Sequence, residues 1–347
     1  MGIKSNNEPL ISILVLSYNH EEYIIESISS ILKQNYCNYE LLIRDDASTD
    51  KTPLLLSNFL SNYENIKNNK IIVEYGKDNI GVMRGLNYLL KRSSGEIIIL
   101  CGPDDVCLPG RISRAVELHT QYPNYGLVAM NAKVIDKNGE LIRDSFYPKK
   151  SKYNLSFFKD LTYKQIIGIG LGGFGMSFKK DLLKVINYQF PDSLLFEDGY
   201  LAFLAAIQNG IILDYNPLIL YRRTSNSLSG LNLQLNPEKT VKNEIKFCKL
   251  FLSFEEAKLQ FYLENKIQTK NRGKALHLLM QRILCLQIKI KVTENKPIFK
   301  LWIKLLWHLF FVPKTKESIK ILLFSLNNSW LTKLMVLDYR RRAKNFG

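Results

Sequence analysis

Cysteine is scarce and unpatterned in this chain. The 347 residues hold five, Cys37, Cys101, Cys107, Cys248 and Cys285, an odd number with neither CxxC nor zinc-ligand spacing. That argues against a disulfide framework or a structural zinc site, and the expectation is ordinary thiols in a reducing compartment. A secretory leader pattern is also missing: the apolar run 10–16 is short, runs into polar Ser17-Tyr18-Asn19, and has no small-residue cleavage site. The opening Met-Gly makes no myristoylation signal, because Asn6 stands where Ser or Thr is required. These absences predict a cytoplasmic protein. Internal repeats and low-complexity tracts are lacking as well.

What is present is enough apolar matter for one or two cored domains, with 46% hydrophobic and 11% aromatic residues. The net charge of +16 is unevenly spread. Residues 1–230 hold 25 Lys/Arg against 24 Asp/Glu, whereas residues 231–347 hold 23 against 8. The expectation is a near-neutral domain over 1–230 followed by a basic, mainly helical region over 231–347.

Short β-branched runs at 11–16, 40–44, 70–75 and 96–100 predict strands, and the segments between them carry helical periodicity. Tyr23, Ile24, Ile28, Ile31 and Leu32 fall on one face of the first helix. Asp50 reads as the N-cap of the second, with Pro53 in its first turn. Alternation of this kind predicts an α/β fold of parallel strands with crossover helices, and such sheets bind ligands at the carboxyl ends of their strands. Three of the four strands end in polar clusters: Ser17-Tyr18-Asn19, Asp45-Asp46-Ala47-Ser48, and Pro103-Asp104-Asp105. Beyond them, 168–178 is glycine-rich, 196–210 predicts a helix that begins on acids and ends on Gly210, and 211–223 supplies strand-like pieces of the same domain.

Adjacent carboxylates at the mouth of a core strand are costly to desolvate without a cation, a hydrogen-bonding partner or water. They offer hard oxygen ligands to Mg²⁺ or Mn²⁺, ions that commonly bridge a protein carboxylate and a substrate phosphate. Read locally, the same residues admit plainer roles. Asp104 could cap a turn, Asp45 or Asp46 could cap one with Ser48 and Thr49, Tyr18 could be a packed aromatic, and Glu197-Asp198 could be acids favoured by a helix dipole.

The order and spacing of SILVLSYNHEEYIIESISSILKQNYCNYELLIRDDASTD, DNIGVMRGLNYLL and SSGEIIILCGPDDVCLPGR over residues 9–230 resemble the family 2 glycosyltransferases. The resemblance implies a GT-A fold, a mixed sheet flanked by helices, and an inverting transfer of sugar from a nucleotide-diphosphate donor. It further implies that Tyr18 stacks on the nucleobase, Asp46 hydrogen-bonds the base, Asp104 faces the ribose or sugar, and Asp105 binds a divalent cation on the diphosphate. Arg84 and Arg222 would contact the donor. Asp198 would be the catalytic base, with Glu197 and Gly173 lining the acceptor site. Leu16, where many relatives carry Thr beside the base, departs from the pattern, and so does the missing His near Arg222.

In 296–313, Lys296, Lys300, Lys304 and His308 fall four apart on one stripe among Trp, Phe, Leu and Ile. The apolar part, 298–312, is too short and too charged for a span of about 20 residues. It suits a helix lying in an anionic membrane interface, or one packed on the catalytic domain. The whole predicts a peripheral enzyme on the inner face of the cell membrane, with a glycan or polyprenyl-linked acceptor of surface-polysaccharide (capsule or O-antigen) assembly. A non-catalytic nucleotide-sugar or polysaccharide-binding partner is the alternative. A sugar nucleotidyltransferase is disfavoured because SYNHEEY stands where a glycine-rich phosphate loop is needed, and no recognition motif supports nucleic-acid binding.

Overall fold

The computed structural model describes residues 8–61, 70–148, 154–158, 171–194, 197–224, 237–264 and 272–294. The predicted interfacial helix at 298–312 lies outside the described residues, as does the segment following Thr224. The chain divides into two compact units, Met1–Leu161 with Gln165–Gly230, and Thr162–Lys164 with Leu231–Gly347.

In the first unit the expected alternation is realised as β1 (Ile11–Ser17), α1 (Ile24–Leu32), β2 (Tyr39–Asp45), α2 (Thr52–Ser61), β3 (Lys70–Tyr75), α3 (Val82–Arg92) and β4 (Ile97–Cys101). These four strands pair in parallel in the order β3-β2-β1-β4. Ile11, Ile13, Val15, Leu41, Leu42, Ile43 and Ile98 are wholly buried. Each such side chain contributes about 1.5–3 kcal/mol by leaving water, which is why these runs are continuously apolar.

The sheet continues as β4-β9-β6-β10-β5, so the second half is mixed. Its elements are β5 (Val106–Cys107), α4 (Arg111–Gln121), β6 (Leu127–Ile135), β7 (Leu141–Arg143), β8 (Leu155–Phe158), β9 (Met176–Lys179), α5 (Glu197–Gln208) and β10 (Ile211–Arg222). β9 runs antiparallel to β4 and β6, and β5 antiparallel to the end of β10. The strand-like pieces expected in 211–223 form one strand, bulged between Asp214 and Pro217 and again before Leu220. Pro217 cannot donate a ladder hydrogen bond, so the register shifts there.

Two local expectations shift in detail. Asp50 accepts the N–H of Thr52 at 2.9 Å, with the helix beginning at Thr52. Tyr23 lies just before α1, half-buried, with the Arg222 guanidinium 4.8 Å over its ring. Glu40, inside β2 and 2% exposed, is satisfied by the Ser12 hydroxyl at 2.7 Å and the Ser94 N–H. Gly95 closes this corner, because a Cβ there would lie 2.4 Å from the Ser12 nitrogen.

The second unit contains α6 (Pro237–Glu264) and α7 (Arg272–Thr293). Leu279, Ile283, Leu284 and Ile288 of α7 are buried, as is Phe261 of α6. Buried Glu255 pairs with Lys258 at 3.6 Å and with Arg282 across the helices at 3.3 Å. Burial pushes the Lys258 ammonium down to about 8, a shift that the Glu255 charge opposes. Among the described residues no helix is long and apolar enough to cross a membrane.

The turn after β2 stores strain that is open to measurement. Ala47 has φ +63°, in the left-handed region that a Cβ disfavours. Replacing Ala47 by Gly is expected to raise stability by about 0.5–1 kcal/mol, the relief of that strain less glycine's greater freedom in the unfolded chain. An unchanged or lower urea midpoint would contradict this.

Candidate active site

Parallel pairing brings the strand-end clusters to one sheet edge. Ser17 is in register with Asp45, and the Asp46 N–H donates to the Ser17 carbonyl at 2.8 Å. Tyr18 follows β1 and stays 42% exposed, its ring free to meet a planar partner. The Tyr18 N–H donates to His20 Nδ1 at 3.2 Å, and burial lowers the His20 pKa, which keeps that nitrogen an acceptor.

The two acids after β2 have different tasks. Asp45 is the turn cap, accepting from the Ser48 N–H at 2.9 Å and the Ser48 hydroxyl at 2.6 Å. Asp46, 2% exposed, accepts from Arg44 Nε at 3.1 Å and Nη2 at 2.9 Å, and from the Gly81 N–H at the start of α3 at 2.9 Å. It is therefore close to Tyr18 and already well supplied with donors. Arg84, on α3, is exposed and pairs through Nε with Asp192 at 2.8 Å, in the segment that leads to α5.

Asp104 and Asp105 form the turn between β4 and β5. A Cβ at Gly102 would lie 2.5 Å from Asp105 Oδ2 and 3.1 Å from Asp104 Oδ1, so both carboxylates point at the space that a missing side chain leaves. Burial, and then the charge of Asp104, hold the Asp105 carboxyl well above its ordinary range. Burial also raises Asp104, against the opposing pull of His20 and Arg222. Two such oxygens, with Asp105 Oδ1 occupied by the Arg222 N–H at 2.9 Å, fit a hard divalent ion that takes one or two protein carboxylates and draws its other ligands from phosphate and water. Among the described residues no group of three or more His, Cys, Asp or Glu could hold a metal by protein ligands alone.

Arg222, at the end of β10, serves this turn. Its Nε donates to the Asp104 carbonyl at 3.0 Å, its Nη1 reaches the carbonyls of Asp136 and Lys137, and its Nη2 pairs with Glu26 of α1 at 2.5 Å. The side chain is 3% exposed. The guanidinium expected to contact the donor is thus engaged by the protein itself.

The second acid pair opens α5. Gly173 lies against it, since a Cβ there would stand 2.6 Å from Glu197 Oε1 and 3.7 Å from the Asp198 Cβ. Burial, helped by the Asp198 charge, pushes the Glu197 carboxyl up to about 7. Burial pushes Asp198 up to about 6, held back by the N–H groups of Gly199 and Gly173. Tyr147 receives the Gly172 N–H at 2.6 Å.

Residues adjoining both acid pairs in the chain form an aromatic cluster. Phe174 stacks on Tyr221 at 4.6 Å between centroids and meets Phe146 at 4.9 Å. Tyr221 precedes Arg222, which holds Asp105, and Phe174 follows Gly173, which abuts Glu197 and Asp198. The residues next to the two acid pairs thus meet in one ring stack, while Tyr18 and Asp46 lie at the ends of β1 and β2 and Arg84 on α3. Tyr147, Phe146, Tyr221, Glu26 and Arg111 were not singled out from the sequence. The basic pair 222–223 hinted at one of them, because a buried arginine needs an acid such as Glu26, but aromatic residues far apart in the chain carry no such signal.

A mixed α/β sheet with acids gathered at its strand ends defines a GT-A glycosyltransferase architecture. The chain belongs to Glycosyl transferase family 2, whose family match spans residues 12–186. WfgD of Escherichia coli, the UDP-Glc:alpha-D-GlcNAc-diphosphoundecaprenol beta-1,3-glucosyltransferase, is 30% identical over 192 residues, which cover 55% of this chain and 68% of that protein. EpsE of Bacillus subtilis (strain 168) is 32% identical over 134 residues, 39% of this chain and 47% of the relative, so the match spans about half of its length. Among solved structures, S. aureus TarS 1–349 in complex with UDP-GlcNAc aligns with a TM-score of 0.60 at 18% identity, covering 95% of this chain and 91% of that one. The mannosyltransferase PcManGT from Pyrobaculum calidifontis, in complex with GDP-Man and Mn²⁺, aligns at 0.52 and 14% identity, covering 96% and 88%. At these identities the likeness is one of fold.

The raised acids at the start of α5 tie stability to pH. Both bind protons more tightly folded than unfolded, so their contribution is full below the ordinary carboxylate range of about 4 and is lost as pH rises through about 6 and about 7. The difference in thermal midpoint between the protein and its Glu197→Gln/Asp198→Asn variant should therefore shift in the variant's favour over that window. A difference that stays flat with pH would contradict the burial of this pair.

Proposed function

We propose that this chain transfers a sugar, with inversion, from a nucleotide-diphosphate donor to a hydroxyl of a glycan or polyprenyl-linked acceptor in surface-polysaccharide assembly. The observation that carries the reading is the convergence of Asp104 Oδ1 and Asp105 Oδ2 over Gly102. Asp105, with Asp104 beside it, would hold Mg²⁺ or Mn²⁺. Such an ion, when bound, neutralises charge on the leaving diphosphate.

The remaining roles belong to side chains. Tyr18 stacks on the nucleobase and Asp46 fixes its edge, with Arg44 and Gly81 holding that carboxylate in place. Asp104 meets the ribose or sugar. Arg84 borders the donor from α3, and Arg222 acts on the donor by holding the Asp104–Asp105 turn. Asp198 takes the proton from the acceptor hydroxyl as that oxygen attacks the anomeric carbon from the face opposite the diphosphate, which inverts the centre. Its raised pKa suits a base working near neutrality, and Glu197 and Gly173 line the acceptor side. Gly173 leaves room for close approach, where any side chain would strike Glu197.

A lipid-linked acceptor is supported by the WfgD name and by the basic, Trp- and Phe-rich stretch at 296–313, which would place the enzyme at the inner, anionic face of the cell membrane. A panel of UDP-, GDP- and dTDP-sugars with Mn²⁺ or Mg²⁺, scored by thermal shift and slow donor hydrolysis, tests the donor class. Asp105→Ala should abolish the metal-dependent shift; full retention would refute the metal assignment. Asp198→Asn should keep donor binding while transfer falls by about 10²-fold or more. Transfer at the parental rate would instead favour a non-catalytic binding partner.

A further inference from the structure

A second reactive cluster flanks the acids and plays no part in the transfer. Cys101 ends β4 and Cys107 ends β5, so two thiols bracket Gly102-Pro103-Asp104-Asp105. Their sulfurs stand 3.9 Å apart, and the residues are 7% and 6% exposed. Arg111, 2% exposed, donates from Nη1 to both sulfurs at 2.8 Å. Its Nη2 donates to the carbonyls of Leu100 at 2.7 Å and Phe174 at 2.9 Å. Ser30 accepts the Cys107 N–H at 2.9 Å, which anchors the far side of the loop to α1.

Packing alone does not account for this arrangement. Thiols are weak hydrogen-bond acceptors, and burying a permanently charged guanidinium against two of them is costly unless the charge serves the sulfur. The sulfurs need to move together by less than about 2 Å to reach the roughly 2.05 Å of a disulfide. We propose that Cys101 and Cys107 form an oxidisable dithiol, a modification site for a small peroxide, whose closure locks the Asp104–Asp105 turn. The inference does not depend on the nucleotide-sugar reading.

The chemistry balances in two steps. One sulfur attacks hydrogen peroxide: an S–O bond forms, the O–O bond breaks, and the departing hydroxide leaves as water with the thiol proton. The second sulfur then attacks the first: the S–S bond forms, the S–O bond breaks, and a second water leaves with the remaining thiol proton. Two thiols are oxidised by two electrons and the peroxide is reduced to two waters. Arg111 donates to both sulfurs and so favours the charged, nucleophilic form from which each attacks, the charge then passing to the departing oxygen. At 7% and 6% exposure the pair is closed to a bulky oxidant such as glutathione disulfide, so the oxidant the proposal names is a small one. The new bond closes a ring that holds both acids.

The test uses the full chain. After hydrogen peroxide, alkylation and proteolysis, mass spectrometry should show a Cys101–Cys107 peptide pair lighter by two hydrogens, reversed by dithiothreitol, with Cys37, Cys248 and Cys285 still alkylated. Glutathione disulfide should leave both thiols alkylatable. Cys101→Ser should yield no such pair and should accumulate oxygen adducts on Cys107. Hydrogen exchange of the amides of Gly102, Asp104, Asp105 and Val106 should slow roughly tenfold on oxidation in the parent and not in Cys101→Ser. Oxygen adducts or Cys37-linked dimers in place of the cross-link would overturn the dithiol, and unchanged exchange in cross-linked protein would overturn the lock.

Discussion

One buried carboxylate governs the arrangement of this domain's edge. Asp105 is 6% exposed beside a second acid, and its fixed partner in the chain is the N–H of Arg222, some hundred residues later. The Arg222 guanidinium completes the attachment by taking the Asp104 carbonyl on one side and Glu26 on the other. A turn that would otherwise splay from like-charge repulsion is thereby pinned between α1 and the end of β10. The antiparallel pairing of β5 with β10 extends the same attachment into the sheet.

From that attachment the two acid pairs acquire different chemistry. Asp104 and Asp105 face an opening left by Gly102 and suit a hard cation, whereas Glu197 and Asp198 are raised by burial toward neutrality and suit proton transfer. Phe174 stacks on Tyr221, and Arg111 ties the carbonyl of Phe174 to the end of β4. Glycine at 102 and 173 matters for the same reason at both sites, because each carboxylate occupies the space where a Cβ would go.

Much of this was legible in the sequence, for definite reasons. Continuous β-branched runs announce strands buried on both faces, so β1 to β4 were expected to within a residue or two, and polar residues at their ends marked the functional edge. The pairs Asp45-Asp46 and Asp104-Asp105 stood out because acids following apolar runs need partners. The division of labour between Asp45 and Asp46 could not be read, since either could have capped the turn. It was decided by Arg44 and Gly81, which reach Asp46 alone. Arg222 was expected to contact the donor, and the sequence does not reveal that Glu26 and Tyr23 engage it instead.

Taken alone, then, the order of residues determined the alternating α/β plan, the edge on which polar groups gather, and the types of side chain available there. These follow from local periodicity and from the cost of burying charge. The tertiary structure alone decided which groups are satisfied by the protein and which are left for a ligand, how far Glu197 and Asp198 are raised, and that Cys101, Cys107 and Arg111 meet. Those properties depend on distances between segments as far as 196 residues apart and on the solvent they exclude, and neither is encoded by any one stretch of chain.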